Sequence, residues 1–289
     1  MAATKNSLPK EFPRFRVGAR IEHIVLLVSF TVLAITGLPQ KYALTNWGES
    51  MIAWMGGIEQ VRIIHRYAAF VLTVGAIYHI FTSAYRFFVK HERMQILLSR
   101  QDWYDLKDTV AYNLGFRSDP PKMPKFNFGE KIEYWAVVWG TAIMAITGFL
   151  LWNPIAVTAV LPGQFIPASK AAHGWEAVLA VLSILIWHFY NVLIKHLNLS
   201  IFTGKLPLEQ MEEEHQLELE RLAAGGEPWP QPDAAGLRQR RVIFIIASVI
   251  VGGIALAVVV WAATFEQTAV TTIPRVTREV FVPLATPLP

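Results

Sequence analysis

Val61-Arg-Ile-Ile-His65-Arg-Tyr-Ala-Ala-Phe-Val-Leu-Thr-Val-Gly-Ala-Ile-Tyr-His79-Ile-Phe81 decides the fold, because it is an apolar run carrying two widely spaced imidazoles, His65 and His79. A second run has nearly the same layout, with His173 and His188 one position further apart. The fourteen-residue step from His65 to His79 turns an α-helix to within about 40° of four whole turns and advances it about 21 Å. The fifteen-residue step from His173 to His188 overshoots by about 60° and advances it about 22 Å. Each run therefore presents two rings on one side, at two depths. Two such helices packed together bring imidazoles face to face at two levels, which is the ligand layout for two stacked haems.

The rest of the chain agrees with helices in a membrane. Of its 289 residues 53% are hydrophobic and 17% charged, and the mean hydropathy is +0.36, too apolar for an ordinary globular domain. Five stretches are long enough to cross a hydrocarbon layer that takes about 20 helical residues: 21–38, 61–88, 132–152, 175–197 and 242–263. Residues 1–20 carry charges and prolines and lack the short apolar run of a cleavable signal, so the first span is read as retained. There is no cysteine. Disulfides, iron–sulfur clusters and covalently attached c-type haem are thereby excluded, and a cofactor has to be held by histidine or by packing.

Charge placement sets the expected orientation. Lys10, Arg14, Arg16 and Arg20 precede the first span, Arg86 to Lys125 crowd the segment after the second, and Lys205 to Arg241 follow the fourth. The two other connections hold only Lys41 and Lys170. The positive-inside bias thus predicts a cytoplasmic N-terminus and an external C-terminus in a bacterial inner membrane. A pI near 9.3 invites a nucleic-acid reading, but the basic residues flank spans instead of forming one stripe, so no nucleic-acid partner is expected.

An internal repeat strengthens the helix pairing. Arg20-Ile-Glu-His23 and Ala34-Ile-Thr-Gly37 recur as Lys131-Ile-Glu-Tyr134 and Ala145-Ile-Thr-Gly148, both at one constant offset along the chain. His65 answers to His173 and His79 to His188 at nearly that offset. Helices one and two thus read as a copy of helices three and four. The expected fold is an all-α membrane protein: a four-helix haem-binding bundle plus a fifth transmembrane helix. The expected divisions are a cytoplasmic segment 1–20, the di-haem bundle 21–197, a cytoplasmic acidic helix and linker 198–241, the fifth span 242–263 and an external arm 264–289. Within the arm, Val280-Phe-Val-Pro-Leu284 is apolar enough to dock on a partner protein. Gly37 and Gly148 suit close approach of a neighbouring helix or a flat macrocycle.

Five intramembrane histidines at two depths are costly unless they face an interior or a cofactor. For the outer haem the ligands are His65 and His173, each read as opening its helix just after an external loop. For the inner haem the candidates are His188 with His79 or His23. Repeat symmetry and depth favour His79, while His23 is then a quinone contact or an alternative ligand. At the start of the third span, Phe126-Asn127-Phe128-Gly129 offers a carbonyl partner in Asn127, a backbone N–H at Gly129 and rings to pack on a quinone. Asn127 with Glu130 also spells an N-cap and its capping box. Glu22, Glu130 and Glu133 are either proton carriers or ordinary first-turn acids.

Arg20-x-x-His23, His65, Phe126-Asn-Phe-Gly-Glu-Lys131, Ile146-Thr-Gly148 and the His173/His188 pair together resemble the cytochrome b (gamma) subunit of membrane formate dehydrogenases. The segments Glu133-Tyr-Trp135, Trp187-His-Phe-Tyr190 and Glu212-Glu-Glu-His215 look like cytochrome b subunits that accompany thiosulfate reductases and multihaem cytochromes. The resemblance covers residues 12–196. It implies two haem b groups, a quinone (menaquinone or ubiquinone) at Asn127 and Gly129, and an inner haem carried by His23 and His188. His79 departs from that pattern and is closer to the cytochrome b of quinol-oxidising bc complexes. Residues for substrate chemistry are lacking, so the implied partner is an external iron–sulfur/molybdenum or nickel–iron oxidoreductase or a multihaem cytochrome. Two other classes compete. A transporter with repeats normally shows inverted halves and broken helices, whereas these units are parallel. A purely structural anchor needs no intramembrane histidine.

Overall fold

The computed structural model describes residues 9–225 and 233–264. Four long helices form the bundle: α1 (Val17–Lys41), α3 (Ile58–Ala84), α5 (Phe128–Trp152) and α7 (Phe165–Ser183). Shorter helices join them, α2 (Asn46–Trp54) between α1 and α3, α4 (Arg100–Asn113) between α3 and α5, and α6 (Pro154–Thr158) between α5 and α7. Beyond α7 come α8 (Ser200–Thr203), α9 (Leu208–Glu214), α10 (Gln216–Ala223) and the long α11 (Ala234–Thr264). Among the described residues five helices, α11 included, are long and apolar enough to cross a membrane. Their outward side chains, among them Ile35, Trp139, Ile186 and Val249, remain exposed, as a chain surrounded by hydrocarbon allows.

Consecutive long helices pair, α1 with α3 and α5 with α7, and the two hairpins meet through α1 against α7 and α3 against α5. The internal repeat thus becomes two similar hairpins about a pseudo-axis. α11 packs along α3, with Phe244 against Tyr85 and the ring of Phe81 under Gly252.

At the basic end a small polar layer closes the bundle. β1 (Glu11–Pro13) pairs antiparallel with β2 (Lys205–Pro207), placing Phe12 opposite Leu206. Phe12, Leu206 and Met211 form a buried cluster there, with Leu208 and Leu219 packed on it. This is apolar core of the water-soluble kind, outside the spans.

Several boundaries differ from expectation. The fifth helix begins at Ala234, not at residue 242, because Arg238, Arg240 and Arg241 continue the helix into the polar zone. His65 and His173 lie about two turns inside α3 and α7, which start at Ile58 and Phe165; the displacements are nearly the same, and the two rings still face each other. The acidic stretch 208–222 is two helices broken at His215, whose ψ of 45° leaves the helical region. The basic segment after α3 is not merely loop, since Ser99 and Asp102 form a capping box that starts α4. Residues 226–232 of the linker, the 265–289 arm with its Val280-Phe-Val-Pro-Leu284 motif, and residues 1–8 lie outside the described residues.

Candidate functional site

Facing histidines occur at two levels. At the outer level the rings of His65 on α3 and His173 on α7 stand 6.4 Å apart between centroids. At the inner level the ring facing His188 belongs to His23 of α1, again at 6.4 Å. A metal–imidazole bond is about 2 Å long and the ring centroid lies about 1 Å behind the nitrogen, so trans imidazoles on one ion have centroids about 6 Å apart. Both pairs meet that spacing.

His79, favoured over His23 by the repeat and by depth, does not face His188. Its Nε2 meets the Tyr134 hydroxyl at 3.0 Å and its Nδ1 meets Glu22 at 2.6 Å. The reason lies in the bundle's symmetry. Counterparts under a two-fold repeat occupy equivalent places in opposite hairpins, and only residues near the axis, such as His65 and His173, meet each other. Away from the axis, His79 on α3 faces α5, and His188, on the continuation of α7 over Ile184–His188, faces α1.

Each ring of the outer pair is oriented through its second nitrogen. Thr36 Oγ1 lies 2.8 Å from His65 Nδ1, and Thr147 Oγ1 lies 2.9 Å from His173 Nδ1. Gly37 and Gly148 follow those threonines. A Cβ at Gly37 would stand 3.0 Å from His65 Cε1, and one at Gly148 would stand 3.2 Å from His173 Cε1. The glycines therefore clear space for the imidazole itself, not for a neighbouring helix. At the inner level Glu133 holds His188 Nδ1 in a hydrogen bond. His23 has a buried Nδ1 with no partner among the described residues. A ligating histidine normally gives its second ring nitrogen to a carboxylate, hydroxyl or carbonyl, and three of these four rings do so. The donor set and spacing fit a low-spin haem at each level.

Asn127 N-caps α5: its Oδ1 accepts from Glu130 N at 2.9 Å, and Glu130 returns to Asn127 N at 2.9 Å. The capping reading thus holds, and the Asn127 side-chain Nδ2 takes no part in the cap. Gly129 lies under Trp187, which a Cβ would approach to 3.3 Å. The polar layer fixes this segment. Arg14 pairs with Glu130 at 2.8 Å and its guanidinium sits 5.0 Å from the Phe126 ring centroid. His215 Nδ1 donates to the Pro124 carbonyl at 2.9 Å. Burial, and then the nearby Arg14 charge, hold the His215 pKa below that of a free histidine.

Glu22 and Glu133, read as proton carriers or first-turn acids, hydrogen-bond the Nδ1 atoms of His79 and His188. Sequence reasoning misses Thr36 and Thr147 as well; their signal is the recurrence of Ile-Thr-Gly at the constant offset of the internal repeat.

An all-α bundle that crosses a membrane with paired imidazoles facing inward at two levels defines a membrane cytochrome b. The chain belongs to the prokaryotic cytochrome b561 family, whose pattern spans residues 14–205. It is 24% identical over 183 residues to the formate dehydrogenase cytochrome b556(fdo) subunit of Escherichia coli K12, covering 62% of this chain and 78% of that one. It is 21% identical over 209 residues to the cytochrome b556(Fdn) subunit of the nitrate-inducible formate dehydrogenase of the same strain, covering 72% and 90%. It is thus a multi-pass membrane cytochrome b of the formate dehydrogenase type, serving electron transfer. α11 lies beyond the matched range.

Proposed function

We propose that this chain is the di-haem anchor subunit of a respiratory oxidoreductase complex, passing electrons across the inner membrane between an external redox partner and the quinone pool. His65 with His173 would hold the outer haem b, and His23 with His188 the inner one. The observation that carries this reading is the pair of 6.4 Å ring separations at two levels of one bundle. A bis-imidazole haem, when bound, supplies a one-electron carrier with no open coordination site for oxygen chemistry.

The chain's own residues supply position and polarity. Thr36, Thr147 and Glu133 fix ring orientation, and the Glu133 carboxylate also strengthens His188 as a donor. At the basic end Asn127 Nδ2 is available to a quinone carbonyl, and the Gly129 N–H lies in the first turn of α5, where the helix dipole favours anionic oxygen. Basic segments before α1, after α3 and after α7 support a cytoplasmic N-terminus, which leaves the C-terminal side of α11 external. The partner is an iron–sulfur/molybdenum or nickel–iron oxidoreductase or a multihaem cytochrome, docked on the short external connections. The functional divisions are the bundle from α1 to α7, the polar layer with α8 to α10, and α11.

Replacing the histidines singly and counting haem against protein by pyridine haemochrome tests the reading. His23→Ala, His65→Ala, His173→Ala and His188→Ala each lose one of two haems, whereas His79→Ala keeps both. Loss of a haem in His79→Ala with retention in His23→Ala overturns the inner pairing. Absence of b-haem bands from the purified wild type overturns the whole reading.

A further inference from the structure

The repeat relates α1 to α5 and α3 to α7 contact by contact. Thr36 on His65 is matched by Thr147 on His173 at nearly the same distance, 2.8 Å against 2.9 Å. Glu22 on the Nδ1 of His79 is matched by Glu133 on the Nδ1 of His188. Applied to the inner histidine pair, the same relation carries His188 to His79 and His23 to Tyr134. The bundle thus builds two equivalent inner sites, one across α1 and α7 and one across α3 and α5. They differ in the facing residue, histidine in the first and tyrosine in the second, and in Ser83, whose Oγ lies 3.5 Å from His79 Nε2.

That difference closes the second site. Tyr134 Oη lies 3.0 Å from His79 Nε2, the nitrogen left over once Glu22 has taken Nδ1. An iron between a nitrogen and an oxygen donor requires about 4 Å, two bonds of about 2 Å each. The orienting side of the ring is kept. His79 retains its orienting carboxylate, the arrangement by which metal-bound histidines are held. Its side chain is 38% exposed, against 27% for His188, so neighbouring side chains have not filled the space around the ring.

We propose that Tyr134 sets the haem number of this cytochrome: by bonding directly to His79 it shuts a third haem site that the repeat would otherwise create, leaving one inner haem and a single inner branch for electrons. The inference rests on the histidine pairs holding haem. No bond is made or broken in it beyond exchange of a hydrogen bond for coordination.

The test is haem stoichiometry and low-spin signals in the full chain. Wild type holds two haems, and Tyr134→His is expected to hold three, with an added low-spin signal in the electron paramagnetic resonance spectrum. Tyr134→His combined with His79→Ala returns to two, which locates the added group. Should Tyr134→His fold poorly, Tyr134→Gly with free imidazole supplies the missing ligand in solution and is expected to take up the third haem as imidazole is titrated in. Two haems in folded Tyr134→His, and no uptake by Tyr134→Gly, overturn the proposal while leaving the di-haem reading intact. Three haems in wild type overturn it too. Fewer than two in wild type refute the reading on which it depends.

Discussion

Thr36 and Gly37 act on one ring. The threonine hydroxyl lies against His65 Nδ1, while the glycine leaves room for Cε1 on the same edge of the imidazole. A methyl group at Gly37, 3.0 Å from that carbon, forces the ring to tilt, and the helix has no slack to move away because Thr36 is tied to it. Gly37→Ala is therefore expected to weaken the outer haem and spare the inner one. Thr36→Val removes the orienting partner without changing shape and is expected to cost about 10- to 100-fold in retention of the outer haem, the range for lost orienting partners of metal ligands. Transfer of haem to apomyoglobin, followed at the Soret band, measures both. Equal loss of the two haems in either variant contradicts a local role. The histidines themselves were legible from spacing alone. Which of them meet was not, because spacing along a helix gives depth and phase but says nothing of which neighbour lies opposite each off-axis position.

Two elements carry features that no periodicity revealed. Beyond His79 the helix continues through Tyr85–Val89 in wide turns bonded five residues apart, and α7 does the same over Ile184–His188 and Tyr190–Lys195. A wide turn advances about 80° per residue instead of about 100°. The wide turn that ends at His188 shifts the phase expected from a wholly regular helix between His173 and His188, and His188 faces α1 where His173 faces α3. Such turns are rare and have no residue signature, and their appearance at a functional histidine follows the general pattern. α4 is held to α5 by a buried ion pair, Asp102 with Lys131 at 2.7 Å, the side chains only 4% and 6% exposed. Burial alone would raise the Asp102 pKa, but the bonds from Lys131 and Ser99 outweigh it and hold the carboxyl below its ordinary value. Asp102→Asn strands a buried ammonium and is expected to cost about 3–5 kcal/mol. Asp102→Leu with Lys131→Met should recover most of that loss. Thermal unfolding in detergent followed by circular dichroism checks both, and a single variant within about 0.5 kcal/mol of wild type excludes the clamp.

At the scale of the whole molecule, two nearly equivalent hairpins are made unequal by Tyr134, by α11 packing along α3, and by a polar layer on one end. Class, spans and repeat were legible because lipid imposes long apolar helices and duplication leaves constant offsets. The layer was not, since its parts come from residues 11–15, 123–130 and 204–222, and their assembly depends on contacts such as Phe12 with Leu206. His215 is the layer's most buried ionisable group, its side chain 1% exposed, and it ties α9 and α10 to the segment leading into Asn127. Its folded pKa lies below that of the unfolded chain, chiefly through burial and then through Arg14. Between the two values the unfolded state binds a proton that the folded state refuses. The contribution to stability is thus fully present above about pH 6.5 and declines as the pH falls below it. Wild type should consequently lose melting temperature between pH 7 and pH 5, beyond the loss in His215→Gln, which keeps a donor for the Pro124 carbonyl without a titrating ring. Parallel pH profiles for the two proteins would show that His215 does not couple the layer to protons.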